Sequence, residues 1–274
     1  MNKINITERS QSYYKQDTAD MDTWFKIANR DYDELINGFD FNALFGNYTS
    51  PLRLLDIGCG TGKFPSMLHP HLSVKPLIKY DYLDPSQYCL DEIRSVLKLP
   101  YIPELPLLQS MERWELDNTA IEQYDLVWSI HAVCNWDITQ LASSIKKLQQ
   151  LLKPETGVAM IFIFSNDSFY NKIYNIYRKS FKENRLKPFV CSEDLMQSLN
   201  DLNIDFTQKR LKYNHDILLS QSDVLEKYLQ KCVFDSLTLN DWFKMDSTRN
   251  LIEENKREKH YCFPQISDLI MFGR

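Results

Sequence analysis

Glycine is scarce in this chain, with seven among 274 residues. Three of the seven, Gly58, Gly60 and Gly62, stand close together in the stretch Leu54-Leu-Asp-Ile-Gly-Cys-Gly-Thr-Gly62. Glycine lets a backbone turn tightly and lets a ligand approach without a Cβ in the way. This stretch is therefore the first candidate for a binding loop.

Paired cysteines and long apolar runs are also missing. The six cysteines are scattered and form no Cys-x-x-Cys pair, which argues against a zinc knuckle and a disulfide framework. The histidines have no ligand-type spacing either, so we expect no metal. No segment approaches the roughly 20 apolar residues that span a bilayer, and the first residues lack the apolar core of a signal peptide. We therefore expect no membrane association and a reducing, cytoplasmic compartment.

The chain has no long run of Lys and Arg, and its formal net charge is −5. Surfaces that bind nucleic acid are usually basic, so we expect no nucleic-acid partner. Charges of both signs alternate along most of the chain, as on a solvated surface. The length is enough for one large α/β domain.

Strands and helices alternate through the first part of the chain. Apolar runs predict strands, the third of them the weakest, at 52–57, 76–82, 106–109, 124–130 and 158–164. Helical patterns lie between them, at 62–69, 87–98 and 138–152. This order predicts an α/β fold with a mostly parallel, doubly wound sheet and helices on both faces.

The remaining segments predict helical additions around that sheet. Residues 19–29 and 31–37 have the pattern of two short helices. After residue 164 we expect helices at 169–182 and 193–202, a strand at 204–213, a helical stretch at 222–258 and a last, antiparallel strand at 266–272. We therefore predict a single domain, 1–274, with an N-terminal helical lid (1–50), a core (51–165) and a C-terminal part (166–274) that carries a helical insert at about 215–260.

The glycine stretch follows a predicted strand and precedes a predicted helix. A helix N-terminus offers free N–H groups and a positive dipole end to an anionic group. The dinucleotide fingerprint Gly-x-Gly-x-x-Gly does not fit, because its third glycine is Lys63 here. A P-loop is excluded as well, since the Gly-Lys-Ser/Thr ending is missing.

A nucleoside site at such a loop needs an acid about 20 residues further on, where it can bond the ribose hydroxyls. Asp84 lies 22 residues after Gly62 and directly after the second predicted strand. Asp81 is the competitor, but it falls inside that strand, so we favour Asp84. The alternative is that Asp84 only caps the following helix.

The order Asp56-x-Gly-x-Gly-x-Gly62 and the strand Tyr124-Asp-Leu-Val-Trp-Ser-Ile130 resemble the class I S-adenosylmethionine-dependent methyltransferases over about residues 50–165. Across nearly the whole chain the sequence resembles, more specifically, the histamine N-methyltransferase-like small-molecule methyltransferases. That likeness rests on Leu83-Asp-Pro-Ser86, Tyr124–His131, Ser192-Glu-Asp-Leu195, the Leu225–Phe234 helix and the Phe263–Phe272 strand. It implies a Rossmann-like fold, S-adenosyl-L-methionine as cofactor and a small-molecule acceptor.

The resemblance also implies which residues form the site. We expect the cofactor to be bound by Asp56, Gly58, Cys59, Gly60, Gly62, Asp84, Pro85, Ser86, Gln109, Ser110 and Ile130. A family asparagine that contacts the substrate amine aligns with Gln265, and aromatic residues after the fourth strand are replaced by Cys134 and Asn135. We assign these three positions to the substrate, and their departures from the family pattern leave histamine itself unsupported as the acceptor.

Methyl transfer from a sulfonium asks a protein for alignment, desolvation and, where needed, proton removal. His131 is the best candidate for a base or an orienting group, because it follows a buried strand at the edge where open α/β sheets bind ligands. The alternative is a core or capping histidine.

Aromatic residues could form a wall that holds the sulfonium or an amine by cation–π contact, although such residues are often core. The candidates are Tyr13, Tyr14, Trp136, Tyr170 and Tyr174. Asp137, Glu193 and Asp194 could pair with a cationic substrate, but the last two are also placed to begin a helix.

We therefore predict S-adenosylmethionine-dependent methyl transfer to a small molecule, with an amine nitrogen favoured by the resemblance. One alternative is an O-methyltransferase that acts on a carboxylate or hydroxyl of a natural product. Another is a catalytically silent, cofactor-binding regulatory protein. Nucleic-acid methylation is disfavoured, because the fourth strand is followed by His131-Ala-Val-Cys134 and not by Asn/Asp-Pro-Pro-Tyr. The sequence leaves the acceptor and the oligomeric state open.

Overall fold

A seven-stranded sheet forms the centre of the protein. The computed structural model describes residues 9, 21–48, 51–73, 76–116, 120–182 and 185–274. The strands are β1 (Leu52–Ile57), β2 (Ile78–Leu83), β3 (Tyr101–Leu107), β4 (Leu126–Ile130), β5 (Val158–Phe164), β6 (Phe206–Leu218) and β7 (His260–Gly273). Their order in the sheet is β3-β2-β1-β4-β5-β7-β6. The first five strands are parallel, and β7 runs antiparallel to both β5 and β6. The predicted doubly wound, mostly parallel sheet with a C-terminal antiparallel strand is confirmed.

Helices cover both faces of this sheet. They are α1 (Met21–Gly38), α2 (Phe41–Gly46), α3 (Lys63–Leu68), α4 (Gln87–Val96), α5 (Leu141–Leu151), α6 (Phe169–Lys182), α7 (Ser192–Asp201), α8 (Ser222–Val233), α9 (Leu239–Lys244) and α10 (Asp246–Glu254). Side chains alternate across a strand, so neighbouring residues enter different layers. Leu54 and Leu55 of β1 are both fully buried, yet they belong to separate hydrophobic clusters, one on each face.

Several predicted boundaries differ from the structure, among them that of the last strand, which begins at His260 and not at residue 266. The two predicted N-terminal helices form the single helix α1, since nothing at Arg30 breaks the pattern. The third strand is β3, at Tyr101–Leu107 instead of 106–109. It contains Pro103 and Pro106, which a strand tolerates at a sheet edge because proline lacks a ladder N–H. The helical insert lies between β6 and β7, so its first predicted residues, 215–218, are strand.

The topology brings several strand ends together. β1 pairs with β2 on one side and with β4 on the other. Successive strands are therefore added on one side of β1 up to β3 and on its other side from β4 onwards. In open α/β sheets ligands bind in the crevice outside the carboxyl ends of the strands at such a reversal of the strand order. None of the helices in the part of the chain that the structure describes is both long and apolar enough to cross a membrane.

Candidate active site

The glycine loop begins where β1 ends, and all three of its glycines have positive φ. The angles are 71° at Gly58, 53° at Gly60 and 75° at Gly62. A Cβ on Gly58 would lie 2.2 Å from the Cβ of Ala132, the second residue after β4, whereas a Cβ on Gly60 would meet nothing within 4 Å. Gly58 therefore permits a close approach of two loops, and Gly60 leaves open space beside the backbone.

Gly62 has a different task. A Cβ there would lie 2.7 Å from Cγ1 of Ile93 in α4, so Gly62 permits α3 to start against α4. Gly62 does not line the adjacent cavity. Gly62 therefore has a packing role in the structure, and its contact with a cofactor stays a prediction.

Asp84 follows β2 and faces the glycine loop. Its Oδ2 accepts the Gly60 N–H at 3.1 Å, and its Oδ1 accepts the Ser86 N–H at 2.9 Å. Burial raises the pKa of Asp84 to about 6, although the two backbone N–H groups oppose this. Ser86 is the N-cap of α4, so the cap that was the alternative role for Asp84 is supplied by its neighbour.

Asp81 and Asp56 are both buried strand residues. Asp81 is engaged in structural contacts, since its carboxylate accepts hydrogen bonds from Arg53 at 3.0 Å and from the Tyr124 hydroxyl at 2.9 Å. Asp56 lies two residues before Gly58 of the glycine loop, and its carboxylate accepts a hydrogen bond from the Tyr80 hydroxyl. Burial raises the pKa of Asp56 to about 7.

A cavity of about 220 Å³ opens at the carboxyl ends of β1, β2 and β4. Most of the predicted site residues line it, namely Asp56, Gly58, Cys59, Gly60, Asp84, Pro85, Ser86, Ser110, Ile130, His131, Cys134, Asn135, Trp136 and Tyr170. Gln109, Tyr174 and Gln265 do not. Tyr174 instead donates to the Lys187 carbonyl at 2.9 Å. Tyr13 and Tyr14 lie outside the described residues.

Gln265 is predicted to touch the substrate, yet its amide is occupied behind the cavity. Its Nε2 donates to the Tyr228 hydroxyl at 3.0 Å, and its Oε1 accepts from the Ser168 hydroxyl. Gln265 is 1% exposed. The structure therefore assigns this position to a buried network and not to direct contact.

His131 points into the cavity from the residue after β4. Its φ is +54°, a region that few residues other than glycine adopt, and its N–H donates to the Phe162 carbonyl at 2.7 Å. Both ring nitrogens are buried and have no hydrogen-bond partner among the described residues. Burial lowers the pKa of His131, and the charge of His215 adds to this while Asp31 opposes it. The ring is therefore neutral near pH 7, with a nitrogen available to a ligand.

Asp31, from α1, is a cavity residue that the sequence reasoning missed. Its Oδ1 accepts from the Tyr213 hydroxyl at 2.5 Å and from His215 Nε2 at 3.0 Å, and its Oδ2 accepts from the Tyr170 hydroxyl at 3.0 Å. Nε2 of His131 lies 4.0 Å from Oδ2. Burial alone would raise the pKa of Asp31, but the charge and hydrogen bond of His215, with His131 and Tyr213, outweigh it and hold the pKa below its ordinary value.

Three further charged residues of the cavity wall, Lys63, Lys231 and Glu112, were missed as site residues. Lys231, from α8, is 8% exposed, and burial lowers its pKa to about 7. Its ammonium lies 5.0 Å from the centre of the Phe234 ring. Glu112 follows β3; its Oε1 accepts the Asp137 N–H at 3.0 Å, and its buried Oε2 has no partner among the described residues.

A sequence signal for Asp31 and Lys231 exists. Asp31 stands between Ala28 and Leu35, three and four residues away on the buried stripe of α1, and Lys231 follows Tyr228 by three residues on the buried stripe of α8. A charged residue at an apolar position of a helix is costly unless something compensates it. Such a residue is a stronger candidate than one on the polar face.

The other predicted acids have structural partners. Asp137 pairs with Lys187, and Glu193 and Asp194 lie in the first turn of α7, as the alternative interpretation expected. Outside the cavity, atoms that could bind a metal lie within 4.8 Å of one another on the paired strands β6 and β7. They belong to Asp216, His260 and Cys262. The expectation of no metal is therefore still a prediction.

Residues 55–158 match the family model described as a methyltransferase domain. The chain contains a methyltransferase domain. This match, together with the order of the strands in the sheet, supports the resemblance to the class I S-adenosylmethionine-dependent methyltransferases seen in the sequence. The match begins within β1 and ends at the start of β5, so it contains the glycine loop, Asp84 and His131 of this methyltransferase.

Solved structures share the fold of this methyltransferase. A S-adenosylmethionine-dependent methyltransferase from Leishmania major is 16% identical, with a TM-score of 0.54, 97% of this chain and 82% of that chain covered. A possible histamine N-methyltransferase from Thermotoga maritima is 15% identical, with a TM-score of 0.52 and coverage of 96% and 98%. Magnesium protoporphyrin IX methyltransferase from Synechocystis is 11% identical, with a TM-score of 0.53 and coverage of 98% and 100%.

These similarities concern the fold alone, because the identities are low. Two of the three proteins are named for different acceptors and the third for none, so the fold does not select an acceptor. No curated protein sequence matches the methyltransferase significantly. The acceptor must therefore be inferred from the cavity itself.

Proposed function

We propose that this protein transfers a methyl group from S-adenosyl-L-methionine to the amine nitrogen of a small molecule. The observation that carries the proposal is the buried Asp31 carboxylate in the wall of an otherwise largely aromatic and apolar cavity. A buried charge is expensive unless it is compensated. Three hydrogen bonds already stabilise the Asp31 carboxylate, and a cationic amine adds an opposite charge beside it when it binds.

The residues around the glycine loop fit the cofactor. Gly58 and Gly60 both have positive φ, and the space beside Gly60 is open. The Asp84 carboxylate lies next to that space, where it accepts the Gly60 N–H. Gly58, Gly60, Asp84 and Ser110 would hold the cofactor there. When bound, the cofactor supplies a methyl group on a sulfonium, which is a good leaving group.

Asp31 is suited to attract an ammonium group. Its pKa is held below the ordinary value, so the carboxylate stays ionised at neutral and mildly acidic pH. Three donors from the described residues fix it in place, and its Oδ2 lies on the side of His131. An ion pair in this dry site is stronger than one in water.

His131 is suited to take a proton from the bound amine. An ammonium nitrogen has no lone pair and cannot accept a methyl group until it loses a proton. Because its pKa is lowered, His131 is neutral and can accept that proton at a ring nitrogen. The imidazolium that forms then lies beside Asp31, which compensates its charge.

Aromatic side chains complete the proposed acceptor site. Trp136, Phe164, Tyr170 and Phe189 line the cavity around His131. Their ring faces attract cations, and their bulk excludes water from the reacting groups. These properties suit both the sulfonium and an organic ammonium ion.

Lys231 favours a second candidate, an acceptor with a carboxylate that becomes a methyl ester. Its amino group lines the same cavity and would compensate an acid. Its pKa of about 7 leaves it partly neutral at physiological pH, whereas Asp31 stays charged. We therefore rank the amine first.

The test is a panel in which each carbon skeleton is offered as an amine, an alcohol and a carboxylate, for example phenethylamine, 2-phenylethanol and phenylacetate. Methyl transfer is measured with methyl-labelled cofactor, product mass and stability to base, since methyl esters hydrolyse and methylamines do not. We expect products from amine members. Products only from alcohols or carboxylates would contradict the proposal, and saturable S-adenosylhomocysteine binding without any product would favour a silent regulatory protein.

Asp31→Asn provides the matched variant, with Asp33→Asn on the same helix as its control. Asp33 does not line the cavity. Losing one partner of a buried charge pair typically costs about 2–5 kcal/mol, so the KM for an amine should rise at least about 30-fold in Asp31→Asn. The dissociation constant of S-adenosylhomocysteine should change little in either variant. An unchanged amine KM in Asp31→Asn would remove Asp31 from the acceptor site.

A further inference from the structure

A series of buried hydrogen bonds runs from Ser168, which directly precedes α6, through β7, α8 and β6 to Asp31. The Ser168 hydroxyl donates to Gln265 Oε1, and Gln265 Nε2 donates to the Tyr228 hydroxyl at 3.0 Å. That hydroxyl lies 3.0 Å from Nδ1 of His215, and Nε2 of His215 lies 3.0 Å from Asp31 Oδ1. All five residues are at most 3% exposed.

The Asp31 carboxylate determines which atom donates and which accepts in each hydrogen bond of this series. An ionised carboxylate can only accept, so Nε2 of His215 carries the proton and donates to Oδ1. When the second ring nitrogen, Nδ1, carries no proton, it is the acceptor, and the Tyr228 hydroxyl can donate to it while the hydroxyl oxygen accepts from Gln265. Each member thereby fixes the orientation of the next.

The outer members of this series do not reach the acceptor. Asp31 lines the cavity, whereas Ser168, Gln265, Tyr228 and His215 lie outside its lining. Ser168 directly precedes α6, and Gln265, Tyr228 and His215 come from β7, α8 and β6, while Asp31 comes from α1. The network therefore connects the N-terminal helix to three elements of the C-terminal half at the point where the carboxylate enters the cavity.

We infer that His215 is a positioning residue, which holds Oδ1 of Asp31 so that Oδ2 stays directed at the cavity beside His131. This role rests on the proposed function, because it gives Asp31 its purpose as an amine-binding group. In the same series of hydrogen bonds, Gln265 orients the Tyr228 hydroxyl, which in turn contacts Nδ1 of His215. Groups that titrate around Asp31 come from five elements: Tyr32 (α1), His131 (after β4), Tyr170 (α6), Tyr213 and His215 (β6), and Tyr228 and Cys232 (α8).

His215→Leu and His215→Gln separate positioning from simple packing. Leucine fills the space but donates nothing to Asp31. Glutamine can donate through its amide N–H to Asp31 and accept through its amide oxygen from Tyr228, so it reproduces both contacts of the neutral ring. His260→Gln, on the neighbouring strand β7, is the control for changing a histidine outside the network.

The first readout is the carboxyl titration of Asp31, followed by ¹³C NMR on protein labelled at aspartate and assigned by the signal lost in Asp31→Asn. We expect the midpoint to move to higher pH in His215→Leu, to return towards the wild-type value in His215→Gln and to stay in His260→Gln. An unmoved midpoint in His215→Leu overturns the inference. Should His215→Leu fail to fold, Tyr228→Phe must produce the same direction of shift, and an unmoved midpoint there overturns it equally.

The second readout uses phenethylamine or whichever amine of the panel is methylated. We expect the KM for that amine to rise about tenfold in His215→Leu, with kcat within about threefold and S-adenosylhomocysteine affinity unchanged, since one charge-assisted hydrogen bond is lost. His215→Gln should restore the KM. A moved titration without any methylated amine leaves the positioning intact and defeats the proposed function. A methylated amine with an unmoved titration defeats the positioning alone.

Discussion

Replacing Gly58 by alanine should damage the cofactor site through one identifiable contact. The new Cβ would lie 2.2 Å from the Cβ of Ala132, while the nearest other atom, the Ala132 Cα, is 3.6 Å away. Alanine at a φ of +71° also carries a left-handed strain of roughly 1–2 kcal/mol. Overpacking of this kind adds about 1–3 kcal/mol. The total loss of stability should therefore be about 2–5 kcal/mol.

Two partner variants isolate the contact. Gly60→Ala has the same kind of strain, with a φ of +53°, but its Cβ meets nothing within 4 Å. It should lose only about 1–2 kcal/mol of stability. Ala132→Gly removes the atom that clashes, so the double variant Gly58→Ala/Ala132→Gly should recover about 1–3 kcal/mol as a favourable coupling.

Thermal unfolding and S-adenosylhomocysteine calorimetry measure these effects. For a chain of this size, 1 kcal/mol corresponds to about 2–4 °C in Tm. Because Ala132 follows His131, we also expect Gly58→Ala to lower turnover more than Gly60→Ala does. Equal losses in the two single variants would refute the reasoning, and so would a double variant no better than Gly58→Ala alone.

Three further predictions concern the same cavity. Asp84→Asn should weaken S-adenosylhomocysteine binding about 10- to 100-fold, because hydrogen bonds to a charged group contribute about 1.5–3 kcal/mol. In the wild type that affinity should be full above pH 6 and fall as pH drops through about 6, where Asp84 takes a proton; a flat profile from pH 5 to 8 by calorimetry would contradict this. Gly60→Arg should abolish S-adenosylhomocysteine binding by filling the open space of the loop, and unchanged affinity would remove the site assignment. His131→Ala should reduce turnover about 10²- to 10⁴-fold with little effect on S-adenosylhomocysteine affinity, whereas equal turnover would return His131 to a structural role.

Local patterns were enough to predict the sheet and the cofactor half of the cavity. A strand, a glycine turn and a helix are close in sequence, and Asp84 follows the next strand directly, so their meeting needs only parallel strand order. His131 was found for the same reason. The order β3-β2-β1-β4-β5 places all of these residues at one sheet edge.

The part of the cavity proposed for the acceptor depends on contacts between distant segments, and fewer of its residues were predicted from the sequence. Asp31 meets Tyr213 and His215 across more than 180 residues of sequence. No local pattern reports such a meeting, and Gln265 was assigned to the substrate because a resemblance gives a position without its hydrogen-bond partners. The boundary of β3 was misplaced because Pro103 and Pro106 weaken every strand pattern unless the strand is already known to be an edge.

The open sheet has two edges, and each is built in a way that discourages pairing with another chain. β3 forms one edge, where Pro103 and Pro106 cannot donate to an added strand. β6 forms the other, and its exposed first half carries Lys209, Arg210 and Lys212. Charged residues and prolines at edges are the means by which natural sheets avoid edge-to-edge aggregation. Replacing Lys209 and Lys212 with β-branched residues should therefore make this edge more prone to pair with another chain, whereas Arg210 also forms an ion pair with the buried Asp268.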